Sequence, residues 1–504
     1  MKVLFVVTEL QRPVGGLYRF AVELLPAWRK AFAQGRTQFE PLVFSMKDPL
    51  APPDDLVPSD DFRAPEGVAL FEAMRGGEKC YFLESPLSQE QLGEFQQKLW
   101  ETYGVRSMKS ASWVFYRQLN AFWKSLPEIY PSVREKHDVA LADCQDWLAY
   151  PAGFALKEKF GVPLYCRMHS CEWGRSLGKP DPEGPQLSIE AAALQEADFF
   201  QSVSASELRF DLYRLLPLKE ALAREKPRGG KWMALQAAKE KDYRDFLLTE
   251  PRGKAVLVGG RCAGVPNGII LDSWMEITAE NVAAGRAALN ALLPGKERYA
   301  FFIGRPARIK GIYELLDAFA RLDARFGLVM SSSFTPQLFD EFMREIAARG
   351  LQDRVALRNG WIDEKLKKQM MCAADIIALP SLYEPFGIVT LEGLAADLAC
   401  EANGLSGPAV VVGDTGGMKE TVENRVNGLK VPMDADTFEL KPELLAGVLS
   451  EAFNDAELKR KLSKGGAERV ESPFYNWANI AETYGKLYAR CVKNFRDSHA
   501  PAQG

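Results

Sequence analysis

Two carboxylates bracket a turn in "SLYEPFGIVTLEGLA" (381–395): Glu384 precedes Pro385-Phe386-Gly387, and Glu392 follows it. The preceding "ADIIALPS" (374–381) is a short apolar, β-branched run of the kind that forms a buried parallel strand. Beyond Gly387, the residues Ile388, Leu391 and Leu394/Ala395 fall on one helical face. That spacing predicts Glu384 in the loop at the strand's end and Glu392 in the second helical turn. The first amides of such a helix, from Gly387 through Ile388 and Val389 to Thr390, have no intrahelical partner and carry the positive end of its macrodipole. A helix start of this kind is an anion site. An ionised carboxylate beside it only accepts hydrogen bonds, as sugar or ribose hydroxyls require. The plainer alternative is a surface loop acid and a helix-face acid. A glycosidase pair is disfavoured, because hydrolases need two carboxyls flanking one bond and these lie on one side of the anion site.

Arg305 and Lys310, in "GRPARIKG", sit between a strand and its following helix, where open α/β sheets bind ligands at the carboxyl ends of strands. Two cations there suit a diphosphate; otherwise they are solvated loop charges. Gly15 and Gly16 let the backbone approach a ligand at the top of a first sheet, or simply make a tight turn. His169, in "PLYCRMHSCEWGR", follows another strand-like run, so it is either catalytic or a structural histidine. Asp146, in "ADCQDWLA", also follows a strand, and its structural alternative is the N-cap of the helix "WLAYPAGFALKEKF". "AVLVGGRCAGVPNG" is no dinucleotide fingerprint: it lacks G-x-G-x-x-G, and Pro266-Asn267-Gly268 interrupts any helix.

Strand-loop-helix units must hold these residues. "KVLFVV" leads through glycines into a helix with Leu17, Phe20, Ala21, Leu24, Leu25 and Trp28 on one face. A second start, "RYAFFIGRPARIKGIYELLDAFARL", has a strand at 299–303 and a helix with Ile312, Leu315, Leu316 and Phe319 on one face. Strand-helix alternation continues through "FGLVMSS", "VALRNG", "DIIALP" and "AVVVGD". The chain of 504 residues is too long for one core and suits two doubly wound α/β domains in tandem. The expected division is 1–275, with insertions near 45–135 and 209–255, then 276–476, then a C-terminal segment 477–504. The hinge is expected near 270–298. The last segment holds an amphipathic helix, "YNWANIAETYGKLYARCVKNF", and a disordered tail.

Composition narrows the function. The formal net charge is −4 and the basic residues are scattered, which argues against nucleic acid and against a polybasic membrane patch. Eight cysteines without a CxxC pair and only three histidines argue against a structural zinc site and fit a reducing cytosol. The apolar run in "MKVLFVVTEL" is too short for a signal sequence or membrane span, and no later window reaches about 18 apolar residues. The expected location is cytoplasmic.

A series of motifs in one order carries a family resemblance: "PVGGL", "DWLAYPAGFALKEKFGVPLYCRMHSCEWGR", "SVSASEL", "VPNGIILDSW", "GRPARIKG", "EPFGIVTLEGLA" and "GDTGGMKETVENRVNGLKVP". Together they resemble the retaining glycosyltransferases of the GT-B fold, in which two Rossmann-like parallel-sheet domains face across a cleft. Within that fold the chain is most similar to glycogen and starch synthases and the related group 1 transferases. The most specific part is E-x7-E combined with the upstream G-R-x4-K-G. "EKCYFLESPLSQEQLGEFQQKLWETYGV" is loosely similar to a region of glycogen synthases.

The resemblance implies roles at matching positions. Arg305 and Lys310 would neutralise the donor diphosphate, helped by the backbone of Phe386 to Val389 and by Gly15 and Gly16. Glu392 would hold the ribose hydroxyls and Glu384 the donor sugar. The loop Asn359–Ile362, with Trp361, would border the base. His169 and Asp146 would serve the sugar and acceptor side, His169 near the anomeric carbon. The donor would be ADP-glucose or UDP-glucose, the acceptor a glucan, and neither metal nor cofactor would be needed. The implied reaction is a front-face displacement in which the leaving phosphate takes the acceptor's proton, with domain closure excluding water. The C-terminal helix, with Trp477, resembles one that crosses back onto the first domain. Two positions depart from the family: its K-x-G-G-L has Pro13 in place of the lysine, with Arg12 beside it, and its H-D-W reads Gln145-Asp146-Trp147. The acceptor therefore stays open to a small sugar, a phosphosugar or a lipid. A GT-B nucleotide-sugar epimerase is the alternative from another class.

Overall fold

The computed structural model describes all residues except 12–14, 49–54, 86–89, 91–92, 95–96, 98–112, 182–183, 226–255, 259, 435 and 500–504. Arg12, Pro13, much of both expected insertions and the expected tail thus lie outside the described residues. The chain divides into two compact units. One comprises Met1–Trp173, Lys179–Gly268 and Trp477–Gly504; the other comprises Gly174–Gly178 and Ile269–Asn476.

The first unit is built on a sheet of β1 (Lys2–Val6), β2 (Glu40–Met46), β3 (Val57–Pro58), β4 (Ala69–Arg75), β5 (Glu78–Glu84), β6 (Val139–Gln145), β7 (Leu164–Met168), β8 (Phe199–Ser202), β9 (Val256–Val258) and β10 (Cys262–Gly264). Its order is β3-β4-β5-β2-β1-β6-β7-β8-β10-β9. From β5 through β2, β1, β6, β7 and β8 to β10 every neighbouring pair is parallel. Its named helices are α1 (Gly15–Ala33), α2 (Trp113–Lys136), α3 (Tyr150–Phe160), α5 (Pro185–Glu196) and α6 (Ala205–Glu225), while the short α4 (Glu172–Arg175) straddles the division between the units. In α1 the residues Leu17, Phe20, Ala21, Leu24, Leu25 and Trp28 are all buried, as their spacing requires. The described part of the first expected insertion extends the sheet instead of lying apart from it. There β4 and β5 form an antiparallel hairpin closed by Gly76-Gly77, at φ 55° and 74°, the positive values that a two-residue primed turn demands.

The second unit carries β11 (Arg298–Ile303), β12 (Phe326–Ser332), β13 (Val355–Asn359), β14 (Ile376–Leu379), β15 (Ala409–Gly413) and β16 (Leu429–Val431) in the order β13-β12-β11-β14-β15-β16, all parallel. The strand order reverses between β11 and β14, and doubly wound sheets bind ligands outside the carboxyl ends of strands at such a point. Its helices are α7 (Asp272–Met275), α8 (Ala279–Leu292), α9 (Ile312–Phe319), α10 (Pro336–Ala348), α11 (Glu364–Ala373), α12 (Ile388–Glu401), α13 (Met418–Thr421), α14 (Pro442–Asn454) and α15 (Ala456–Val470). Helix α12 is buried on nearly every side, from Thr390 to Asp397, and not only along the expected face.

Residues 270–298, where the hinge is expected, lie within the second compact unit, whose boundary with the first falls at Gly268/Ile269 beside the expected 275/276. The reason is packing, since α8 is tied to the strand end before β14 by Arg286 Nη1, 2.8 Å from Asp375 Oδ2. The last helix, α16 (Trp477–His499), belongs to the first unit. There Trp477 Nε1 donates to Glu23 Oε2 of α1 at 2.8 Å, and Tyr488 OH donates to Asp143 Oδ2 of β6 at 2.7 Å. Among the described residues no helix is long and apolar enough to cross a membrane. All eight cysteines are buried, and none is in a disulfide.

Candidate active site

In the second unit, the loops after β11 and β14 meet at the point where the sheet reverses. The first makes a 3-10 turn, Arg308–Lys310, and the second runs through Ser381 to Gly387. Main-chain bonds latch them together, Leu382 N donating to Ile309 O at 2.8 Å. Lys310 Nζ then lies 2.5 Å from Glu384 Oε2, with both side chains 18% exposed. Ser381 Oγ donates to the same oxygen at 3.5 Å. Behind Glu384 the "GDTGG" loop closes the seat. Gly417 N donates to Glu384 O at 3.1 Å, and a Cβ at Gly416, whose φ is 47°, would lie 1.8 Å from that carbonyl. Only glycine permits so close an approach.

Helix α12 starts immediately beyond, with Gly387 as its N-cap and no side-chain cap, so its first turn presents the positive end of the helix at this place. Ile388 and Val389 are half-buried there. The Phe386 side chain is buried, its ring 6.4 Å from that of Tyr475, so this residue offers its backbone and not its ring. Glu392 lies one turn on, buried, with Oε1 2.8 Å from Lys367 Nζ of α11. Lys367 also reaches Glu364 at 2.9 Å. Arg305 is exposed on the same loop as Lys310. Trp361, after β13, is 60% exposed, and its carbonyl accepts from Arg358 Nη1 at 3.0 Å. A carboxylate pair, one bound and one exposed cation, and a helix start thus gather at one sheet edge. Such a set can bind a diphosphate and the hydroxyls attached to it.

In the first unit, Gly15 opens α1 at φ 88°, and a Cβ at Gly16 would meet nothing within 4 Å among the described residues. His169, just after β7, has Nε2 2.9 Å from Gln145 Oε1 at the end of β6. Its ring stands edge-on to Phe20 at 4.6 Å. Burial and the neighbouring Arg167 charge push its imidazole well below the usual range, so it is uncharged at neutral pH. Asp146 adopts φ 58°, and its Oδ1 accepts from His169 N at 2.6 Å and from Ser170 N at 3.4 Å. The N-cap alternative for Asp146 is therefore corrected: α3 begins at Tyr150 after Ala149, without a side-chain cap. Asp146 spends its carboxylate on the loop that carries His169.

The structure adds Lys367 and Ser381, which the sequence reading passed over. Lys367 shares a helical face with Met370 and Met371, and a lysine on an apolar face is a sign that a buried carboxylate waits for it. Among the described residues no group of three or more His, Cys, Asp or Glu side chains is arranged to hold a metal ion.

Residues 290–469 match the family described as Glycosyl transferases group 1. This chain carries a group 1 glycosyl transferase domain. The alpha-maltose-1-phosphate synthase of Mycolicibacterium smegmatis is 32% identical over 197 residues, which cover 38% of this chain and 47% of that one. The glycogen synthase of Haemophilus influenzae is 27% identical over 252 residues, 46% of this chain and 50% of that one. The chain thus spans about half the length of these curated relatives. Among solved structures, the catalytic domain of starch synthase IV from Arabidopsis thaliana, bound to ADP and acarbose, superposes with a TM-score of 0.62 at 18% identity, covering 98% of this chain and 99% of that one. The fold is GT-B, two doubly wound α/β units.

Proposed function

We propose that this chain is a retaining glycosyltransferase that moves a hexosyl unit, glucose in the first instance, from a nucleoside diphosphate sugar to a glucan. One observation carries the reading: within the group 1 transferase domain, Lys310 and Glu384 meet at the start of α12, at the point where the sheet reverses. In this reading Lys310, Arg305 and the helix start take up the charge of the diphosphate without a metal, Glu384 receives sugar hydroxyls and Glu392 those of the ribose. The acceptor oxygen bonds to the anomeric carbon as the bond to phosphate breaks on the same face, and the acceptor's proton passes to the leaving phosphate. Growing charge on that phosphate is met by groups already in position, which is where electrostatic catalysis is strongest. His169 and Asp146 are assigned to the sugar and acceptor side, the uncharged imidazole as a hydrogen-bonding group. Buried cysteines outside any disulfide support a cytoplasmic setting.

A phosphosugar acceptor is the second reading, favoured by the relative named for alpha-maltose 1-phosphate. The deciding experiment incubates the full chain with ADP-glucose or UDP-glucose, adding a glucan primer, glucose 1-phosphate or neither, and measures nucleoside diphosphate release beside Glu384→Ala. Primer-dependent release lost in the variant supports the glucan synthase, and release dependent on glucose 1-phosphate supports the second reading. No release with either donor, while nucleotide still binds, overturns both. An altered donor sugar without acceptor-dependent release would mark the epimerase alternative.

A further inference from the structure

Gln145 stands where the family motif has a histidine, and its surroundings leave its amide one orientation. The residue is fully buried at the end of β6. Its Nε2 lies 2.6 Å from Asp143 Oδ1 and 3.5 Å from Asp143 O. The other oxygen of Asp143 accepts from Arg167 Nη2 at 2.8 Å and from Tyr488 OH of α16 at 2.7 Å. Arg167 and Asp143 are both fully buried, and the guanidinium also lies 3.9 Å from the Tyr484 ring centroid. Burial raises the Asp143 carboxyl, but the paired Arg167 charge and the hydrogen bond from Tyr488 OH oppose that rise and favour the ionised form. An ionised carboxylate cannot donate, so the amide must turn its NH2 toward Asp143.

The amide oxygen therefore faces His169 Nε2 at 2.9 Å. Two acceptors cannot bond, so Nε2 must carry the ring proton. Among the described residues no hydrogen bond reaches Nδ1. We propose that Gln145 is a positioning residue: clamped by Asp143, it holds His169 with its proton on Nε2 and its lone pair on Nδ1, the form that accepts a hydrogen bond from a substrate hydroxyl. The order of control runs from α16 through Tyr488, Asp143 and Gln145 to the imidazole. His169 then takes part as an acceptor at Nδ1 and supplies no proton to the leaving group. The substrate half of this inference rests on the transferase reading; the tautomer does not.

The test uses the full chain labelled with 15N-histidine and long-range 1H–15N correlation at pH 7.5. The three histidines are distinguished with His169→Gln. The wild type should show His169 as a single Nε2–H tautomer. Gln145→Met, which keeps volume but removes the acceptor, should move both ring nitrogens toward the averaged shifts of an unfixed imidazole. In steady-state transfer it should lower kcat about tenfold while donor KM changes less than about threefold, the pattern of a lost transition-state interaction. An Nδ1–H tautomer in the wild type, or unchanged nitrogen shifts in Gln145→Met, overturns the proposal whether or not transfer is observed. Should Gln145→Met fail to fold, the wild-type spectrum and the less disruptive Gln145→Asn decide it. Shifts that respond as expected in a protein that transfers nothing would leave the tautomer standing and refute the transferase reading alone.

Discussion

Lys310 and Glu384 bind each other at 2.5 Å, although the transferase reading assigns one to the diphosphate and the other to the sugar of a single donor. A diphosphate must then share its lysine with a protein carboxylate. Glu384→Gln should bind ADP or UDP alone about 1 kcal/mol more tightly, roughly fivefold in Kd, because a competing and repelling charge is gone. Transfer should fall at the same time, since the sugar loses a charged acceptor and one of its two carboxylate oxygens becomes an NH2 donor. Titration calorimetry with each nucleotide reads the first effect; weaker binding in the variant would mean that Glu384 supports Lys310 and does not compete for it.

The buried pair between Lys367 and Glu392 makes a stability prediction. Lys367→Met removes the ammonium that lies 2.8 Å from Glu392 Oε1 in a buried site, so it should cost about 3 kcal/mol in urea unfolding. Adding Glu392→Leu should return most of that loss, because both charges are then absent. The single variant should also raise donor KM. Additive losses in the double variant would show that the pair is not coupled.

Asp397 of α12 is fully buried, close to the backbone of Gly407 and Gly466. Burial pushes its carboxyl well above the ordinary carboxylate range, against a smaller opposing effect from Ser463. A folded-state value raised above the unfolded one, near about 4, makes a stabilising contribution in acid that is lost as pH rises. Asp397→Asn should therefore match the wild type near pH 4 and melt progressively higher than it toward pH 8. An offset in Tm that is constant across pH would contradict this.

Trp361 is exposed and so contributes little to the fold. If it borders the nucleotide base, Trp361→Ala should leave the melting temperature within about one degree. It should weaken donor binding by about 1 kcal/mol or more, the typical worth of an aromatic stack on a base. Comparing ADP with UDP in the variant shows which base depends on the ring. Unchanged affinity for both would move the base elsewhere.

The parts of the fold legible in the sequence are those whose signal is periodic. Leu17 to Trp28 and Ile312 to Phe319 repeat at helical spacing, and the apolar runs before Gly304 and Ser381 announce buried parallel strands. Sheet order is not periodic information, so the reversal between β11 and β14 could not be read, although the loops that meet there were. The Gly76-Gly77 hairpin carried a local sign within the expected insertion near 45–135, a pair of glycines able to take the positive φ of a two-residue turn. The N-cap alternative for Asp146 failed for a chemical reason: an aspartate before a helix suits an N-cap, and only the tertiary fold brings the amide of His169 within its reach. Lys367, and the link from Gln145 to His169, became visible once groups distant in sequence were brought beside them.

The position of α16 has a consequence for synthesis. The first unit is interrupted by nearly all of the second and is completed by Trp477–His499, the last described stretch of the chain. Translation therefore delivers the whole second unit before the segment that covers Arg167, Asp143 and Phe20 has left the ribosome. The inner unit can mature first, while the outer one waits with a buried arginine's pocket open and in need of protection from aggregation. A nascent chain arrested at Asn476 should show this directly, with 269–476 resistant to protease and 1–268 still cut.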